Sequence, residues 1–274
     1  MAGSLLARAL GALESLTGQP RGLHLQEVAD RLAMPKSGAH RLLAELIQLG
    51  YVVQDQDTAC YLLTTRLMSL GFRQLGGSGI IEIAQPVLNR LATASGELVR
   101  LAVVDRGRLP FVAKAQGAGA GLRYDPDMGG EAALFCSATG HAWLASLPHE
   151  EAVAQVAHQG FTLLDQRGKN VPTTIAAVFK FVAAARARGY AQTTETWAPG
   201  MASMAATVTD SRTSRVSAVL SIAGPSVRLT GDAMTALAPG LLEATAELSA
   251  ASPLSQYLNS LNPDQKEPDR RRAR

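Results

Sequence analysis

Cysteine, aromatic residues and one-sided charge are all scarce in this chain. Only Cys60 and Cys136 occur among 274 residues, which leaves no spacing for a disulfide framework or a cysteine-based metal site. Phe, Tyr and Trp together make up 5%. No apolar run approaches the roughly 18 residues that a bilayer-spanning helix needs. The N-terminus MAGSLLARALGALES has no basic n-region, and Glu14 interrupts its apolar stretch, so a signal peptide is not expected. His149-Glu150 does not open an HExxH metal motif, because Val153 stands where the second His would be. These absences predict a cytoplasmic protein with no resident metal or cofactor.

A strong electrostatic signature is missing too. The formal net charge is +3. Residues 1–75 carry seven Lys/Arg against six Asp/Glu, residues 76–260 fourteen of each, and residues 261–274 five against three. Many nucleic-acid-binding domains are visibly basic. Here DNA binding has to be argued from pattern and geometry.

What the chain has is apolar periodicity. Hydrophobic residues make up 47% and charged residues 18%, enough core for two domains. Residues 4–17 place Leu5, Leu6, Leu10, Leu13 and Leu16 at helical spacing, with Ser4 as N-cap and Gly18 and Pro20 beyond the end. LHLQEVADRLAM follows as a short amphipathic helix through Leu25, Val28, Ala29 and Leu32. Pro35 then opens a third helix, with Ala39, Leu42, Leu43, Leu46 and Leu49 inward and Gly50 as its stop. YVVQDQDTACYLLT reads as two short strands around a polar turn at 55–58. RLMSLGFRQLGGSG reads as a connecting helix, and Gly76, Gly77 and Gly79 mark the domain boundary.

The remainder alternates helices with strand pairs. IIEIAQPVLNRLATASG is a predicted helix, ELVRLAVVDRGRLPFVAKAQG a hairpin turning at 105–108, and residues 117–121 a Gly/Ala loop. A helix is expected from Ala138 onward. A later helix leads into MASMAATVTD and RVSAVLSIAGP, a second hairpin, before a closing helix in TALAPGLLEATAELSAASPLSQYL. Hairpins interspersed with helices predict an antiparallel or mixed sheet with helices packed on it.

Two constellations carry chemistry. Small residues Ala29, Ala33 and Ala39 fall where two helices of a helix-turn-helix meet and cross, and Leu32, Met34 and Leu42 supply the contacts between them. With the second helix docked by its leucines, Lys36, Ser37, His40 and Arg41 project from its first two turns, the end that enters a major groove. A plain solvated helix face is the alternative. The second constellation is the helix start at Ala138–Thr139, whose free N–H groups and positive dipole end suit a carboxylate.

The order SLLARALGALESL, GLHLQEVADRLAMPKSGAHRLLAELIQLGYVVQD and YLLTTRLMSLG resembles the IclR family of bacterial transcriptional regulators. The likeness returns in LFCSATGHAWLASLP, VPTTI, ARARGYA and VLSIAGP, so it spans roughly residues 4–250. It implies an α+β protein: a winged helix-turn-helix domain (1–66), a linker helix (67–80), a GAF-like effector-binding domain (81–255) and a disordered tail (256–274). It implies a DNA-binding set of Lys36, Ser37, Gly38, His40 and Arg41, and an effector set of Ala138, Thr139, Thr193, Ser203, Ser221 and Ala223. Thr193 is placed in the turn after RGYAQ. Six positions depart from the family pattern. Gly38 and Ala39 follow PKS where Thr and a β-branched residue are usual, Ala59-Cys60 replace the wing's Gly-Arg, His141 replaces a Lys, and Phe135 replaces a His.

The implied partners are double-stranded operator DNA, a small anionic or aromatic effector and a second copy of the chain, as a homodimer or a dimer of dimers, with no membrane partner. Repression is the expected outcome. Individually, Ser203 and Ser221 also read as ordinary strand residues, and Met128, Leu134, Trp197 and Met201 as pocket wall or core, core being the default for Met and Trp. GAGAGL at 117–122 reads as a loop rather than a dinucleotide fingerprint, and Cys136 as a buried thiol. The competing functions are an enzyme working through Cys136, His141 or Ser203, and a ligand-binding module without specific DNA binding.

Overall fold

The computed structural model describes residues 4–119, 121–126, 129–210 and 214–251. Met128 and the predicted tail 256–274 lie outside the described residues. The chain forms two compact units, Met1–Gly77 and Ser78–Arg274.

In the first unit, α1 (Leu5–Leu16), α2 (Leu25–Arg31) and α3 (Lys36–Gln48) precede a hairpin of β1 (Val52–Gln54) and β2 (Tyr61–Leu63), and α4 (Thr65–Gly77) follows. Local chemistry sets these limits. The Ser4 hydroxyl accepts the Ala7 N–H (3.2 Å) at the start of α1, and the Glu27 carboxylate accepts the His24 N–H (2.7 Å) at the start of α2. Ala33 makes the turn into α3 with φ +47°, a left-handed conformation costing about 1–2 kcal/mol outside glycine. Ala29 and Ala39 are buried at the α2–α3 crossing, as the spacing of small residues predicts. The hairpin pairs Val52 with Leu63 and Gln54 with Tyr61.

Two sequence expectations need correction here. The predicted leucine stripe of α1 faces inward only at Leu13 and Leu16. Ala12 and Leu16 are buried and Ala9 and Leu13 pack beside them, while Leu5, Leu6 and Leu10 are 61%, 69% and 52% exposed. The i, i+3, i+4, i+7 set beginning at Ala9 brings the helix closer to the core than a leucine set would. Leu49, expected inward, is exposed, because α3 ends at Gln48 and the chain reverses at Gly50, φ +75°.

The second unit contains α5 (Ile80–Ser95), β3 (Leu98–Val103), β4 (Phe111–Gln116), α6 (Ala138–Ser146) and α7 (His149–Gln159). After a 3-10 turn at Leu164–Gln166 come α8 (Ile175–Arg188), β5 (Ala191–Thr194), β6 (Met201–Thr209), β7 (Val216–Pro225) and α9 (Gly231–Ala250). The strands form one antiparallel sheet in the order β4-β3-β7-β6-β5. Leu101, Met204 and Leu220 face a core shared with α5 and α9, whereas Ala102, Ala205 and Val219 face one shared with α6, α7 and α8. Because β7 is covered on both faces, it is buried from Ser217 through Pro225 instead of alternating between buried and exposed. Helix α6 is buried from Ala138 through Leu144, so it has no polar stripe to betray its orientation. Gly140 permits this depth: a Cβ there would stand 2.5 Å from the Leu134 Cα.

Thr193 also requires correction. It lies within β5, not in a turn, and pairs with Ser203 in the ladder to β6. The closing helix begins at Gly231, four residues before the predicted stretch, because the Thr230 hydroxyl caps it through the Ala233 N–H (3.3 Å). Among the described residues, no helix is long and apolar enough to cross a membrane.

Candidate DNA-reading helix and effector cavity

Burial of Ala39, Leu42, Leu43 and Leu46 fixes the rotation of α3, and Lys36, Ser37, His40 and Arg41 are consequently exposed. None of these four side chains makes a hydrogen bond or ion pair within the described residues. Pro35 offers no side-chain cap, and the first backbone bond of the helix is Ala39 N–H to the Pro35 carbonyl (3.0 Å). The N–H groups of Lys36, Ser37 and Gly38 are therefore open at the positive end of the helix dipole, where a DNA phosphate fits. Gly38 is half-buried beneath this face, and a Cβ there would lie 3.0 Å from the Met34 methyl carbon. Met34 thus fills part of the space that a larger residue at 38 would take.

The wing is acidic. Between Val52 and Leu63 stand Asp55 and Asp57 and no Lys or Arg. The Asp55 carboxylate accepts the Thr58 N–H (2.7 Å) and hydroxyl (2.8 Å), which keeps its pKa below the usual carboxylate value and the turn closed. Cys60, at the family's cation position, is buried against the His24 ring, with Sγ 3.6 Å from Nδ1.

In the second unit, the start of α6 and strands β3, β5, β6 and β7 surround a cavity of about 170 Å³. The Ser137 hydroxyl caps α6 by accepting the Gly140 N–H (2.9 Å), and no acceptor within the described residues takes the N–H groups of Ala138 and Thr139. Thr139, Thr193, Ser203, Ser221 and Ala223 of the expected effector set all line this cavity. Ala138 does not; its side chain is packed in the core, leaving only its N–H toward the helix end. Thr193 Oγ1 and Ser203 Oγ are hydrogen-bonded (2.9 Å), and the Ser221 hydroxyl donates to the Arg100 carbonyl (3.3 Å).

Sequence reasoning missed Arg100, Phe111 and Tyr124 in this lining, and took core as the default for Trp197 and Met201, which also line it. Leu134, left open between wall and core, is core. The Arg100 guanidinium lies 3.6 Å from the Phe111 ring centre and 5.7 Å from that of Tyr124, with its Nε buried and unpartnered. Burial pulls its pKa below the ordinary arginine value, while the Tyr124 side chain works against that shift. Arg167 stacks on Trp197 (3.8 Å) and holds that wall. A signal for Arg100 was available, since it is the one charge inside the apolar run LVRLAVV.

Cys136 and His141 do not form a catalytic pair. Burial pushes the Cys136 thiol up to about 12, so it carries no thiolate at neutral pH. His141 is driven down to about 4 by burial, and its Nε2–H donates to the Phe135 carbonyl (2.9 Å).

Profiles of known families match both units. The IclR helix-turn-helix domain matches residues 5–56, and the C-terminal domain of the bacterial transcriptional regulator IclR matches residues 72–250. The chain belongs to the IclR family. It is 30% identical over 247 residues to the HTH-type transcriptional regulator BhcR of Paracoccus denitrificans, covering 89% of this chain and 85% of that protein. It is 28% identical to the transcriptional repressor IclR of Escherichia coli K12, covering 90% and 89%. The fold matches a crystal structure of an IclR homolog from Microbacterium hydrocarbonoxydans complexed with 4-hydroxybenzoate. The TM-score is 0.71 at 22% identity, with 90% of this chain and all of that one covered. This IclR-family protein is accordingly a transcriptional regulator rather than an enzyme. Its helix-turn-helix domain takes DNA as partner and its C-terminal domain a small-molecule ligand.

Proposed function

We propose that this IclR-family regulator is a repressor that reads a palindromic operator as a homodimer and changes its operator affinity when a small anionic or aromatic molecule fills the C-terminal cavity. The observation that carries the reading is a division of labour within one chain. One unit presents an unengaged polar face on α3, and the other encloses a ring-sized cavity beside an open helix N-terminus. Lys36, Ser37, Gly38, His40 and Arg41 are the DNA-contacting set, with the first two turns of α3 entering the major groove. Thr139, Thr193, Ser203, Ser221, Ala223 and the Ala138 N–H are the effector set. We assign residues 1–66 to DNA reading, 67–80 to the linker helix and 81–255 to effector binding, and place the activity in the cytoplasm, where operator DNA is.

Dimerisation is supported by apolar surface on the first unit. Leu5, Leu6 and Leu10 of α1 are exposed, and α4 buries none of its residues while exposing Met68 and Phe72. Such a surface calls for a partner, and a second copy also doubles the phosphate contacts of a weakly charged reader. Phe72→Glu should therefore shift the chain toward monomer in sedimentation experiments and cost operator affinity.

Footprinting on the DNA beside its own gene tests the whole reading. The expected result is salt-sensitive, sequence-specific protection of two half-sites about one helical turn apart. Absence of specific protection overturns it.

A further inference from the structure

The cavity contains a positive charge that no carboxylate among the described residues balances. Arg100 and Glu131 are the charged residues of the lining, and the Glu131 carboxylate is already engaged by Arg108, whose Nε lies 2.7 Å away. Within the described residues no carboxylate pairs with Arg100 and its Nε has no acceptor; the guanidinium's hydrogen-bond partner there is the neutral Tyr124 side chain. Phe111 covers one face of the guanidinium, so the in-plane N–H groups that Tyr124 does not engage are what remain available to a ligand. A buried cation without a counter-charge is costly in an empty pocket, and a ligand that supplies the counter-charge recovers that cost on binding.

The walls limit what can carry the anion. Aromatic residues are 5% of the chain, yet Phe111, Tyr124 and Trp197 all face this cavity. Its 170 Å³ is close to the roughly 150 Å³ at which an apolar cavity accepts benzene. The hydroxyls of Thr193, Ser203 and Ser221 provide polar contacts elsewhere in the lining.

Resting on the reading of this cavity as the effector site, we infer that Arg100 is its specificity-determining residue. It selects a planar, one-ring carboxylate, gripped by the guanidinium edge and held between aromatic walls. The carboxylate stays ionised and no covalent step is involved. A fork of N–H donors suits a carboxylate bidentately, whereas an amide of the same shape offers one acceptor and two donors that find no partner on Arg100.

The test uses the full-length protein and matched probes, benzoate and 4-hydroxybenzoate against benzamide and 4-hydroxybenzamide, by calorimetry and thermal shift. Wild type should bind an acid at least about tenfold tighter than its amide, the scale of a charge-assisted hydrogen bond. Arg100→Met should erase that ratio while leaving the ligand-free melting temperature equal or higher, because an unbalanced buried charge is removed. Arg100→Lys, which keeps the charge but not the fork, should retain only part of the ratio, and carries the test if Arg100→Met does not fold. Equal binding of acid and amide by wild type, no acid binding by wild type, or an unchanged ratio in the variants overturns the assignment. A purely structural Arg100 would instead lower the melting temperature and leave the ratio alone. Acid binding through Arg100 without any change in operator affinity would sink the effector reading and leave this site standing. Operator release by uncharged compounds alone would do the reverse.

Discussion

Replacing Gly38 by Ala should stabilise the DNA-reading unit, and the structure allows the size of the effect to be worked out. Gly38 is inside α3 with an ordinary helical backbone, so nothing in its conformation requires glycine. Glycine in a helix interior costs about 0.8–1.0 kcal/mol relative to alanine, chiefly through backbone entropy. Against this stands one close approach, the added Cβ lying 3.0 Å from Met34 Cε. That atom is the free end of an unbranched side chain that is only half-buried, so it can turn to another rotamer without disturbing the core. Gly38 being in the first turn, where the penalty is smaller, a net gain of about 0.5 kcal/mol follows, or roughly 2–4 °C for a unit of this size. Thermal unfolding of the full chain, with hydrogen exchange resolving the amides of α3, measures it. Operator affinity should not fall, because the new methyl lies beneath the reading face. An unchanged or lower melting temperature would refute the reasoning and show that Met34 is locked in place.

Lys36→Ala should weaken operator binding about equally on all sequences and reduce the salt slope by about one per contact, whereas Arg41→Ala should cost about 1–3 kcal/mol and relax specificity at one base pair; titrations at several salt concentrations separate the two. Asp57→Lys should raise operator affinity at low salt and steepen its salt dependence, since it reverses one of the two wing carboxylates and leaves Asp55 to hold the turn. Acidification should destabilise the second unit through His141. Its folded pKa is lowered to about 4, so the unfolded chain takes up a proton that the folded one refuses. Stability is therefore lost as pH falls from about 6.5 toward 4, by of order 3 kcal/mol. His141→Gln, which keeps a donor near the Phe135 carbonyl, should flatten that limb in urea titrations.

How much of this was legible in the sequence depended on whether a residue's neighbours lie near it along the chain. The helix-turn-helix was readable because its logic is local. Ala29, Ala33 and Ala39 fall at fixed offsets, and the leucines of α3 fix which side chains face outward. The same local logic misjudged α1, where periodicity found the leucines but not which of two adjacent stripes docks. That choice belongs to the α2–α3 surface, against which the alanine-bearing face fits more closely. The cavity was half legible. Ser203, Ser221 and Ala223 came from motif order, and Thr193 lines the cavity from a strand rather than from the expected turn, because only the pairing of β5 with β6 reveals that it sits in a strand. Arg100 was missed altogether. Its proposed role depends on Phe111 across the β3–β4 ladder, on Tyr124 in the following loop and on the absence of a carboxylate partner among the described residues. Periodicity registers a charge in an apolar strand only as an interruption. That interruption is informative: a guanidinium buried in a sheet without a carboxylate beside it is unstable unless something else brings the negative charge, and in a protein built to respond to a small molecule the ligand is the partner with a reason to arrive.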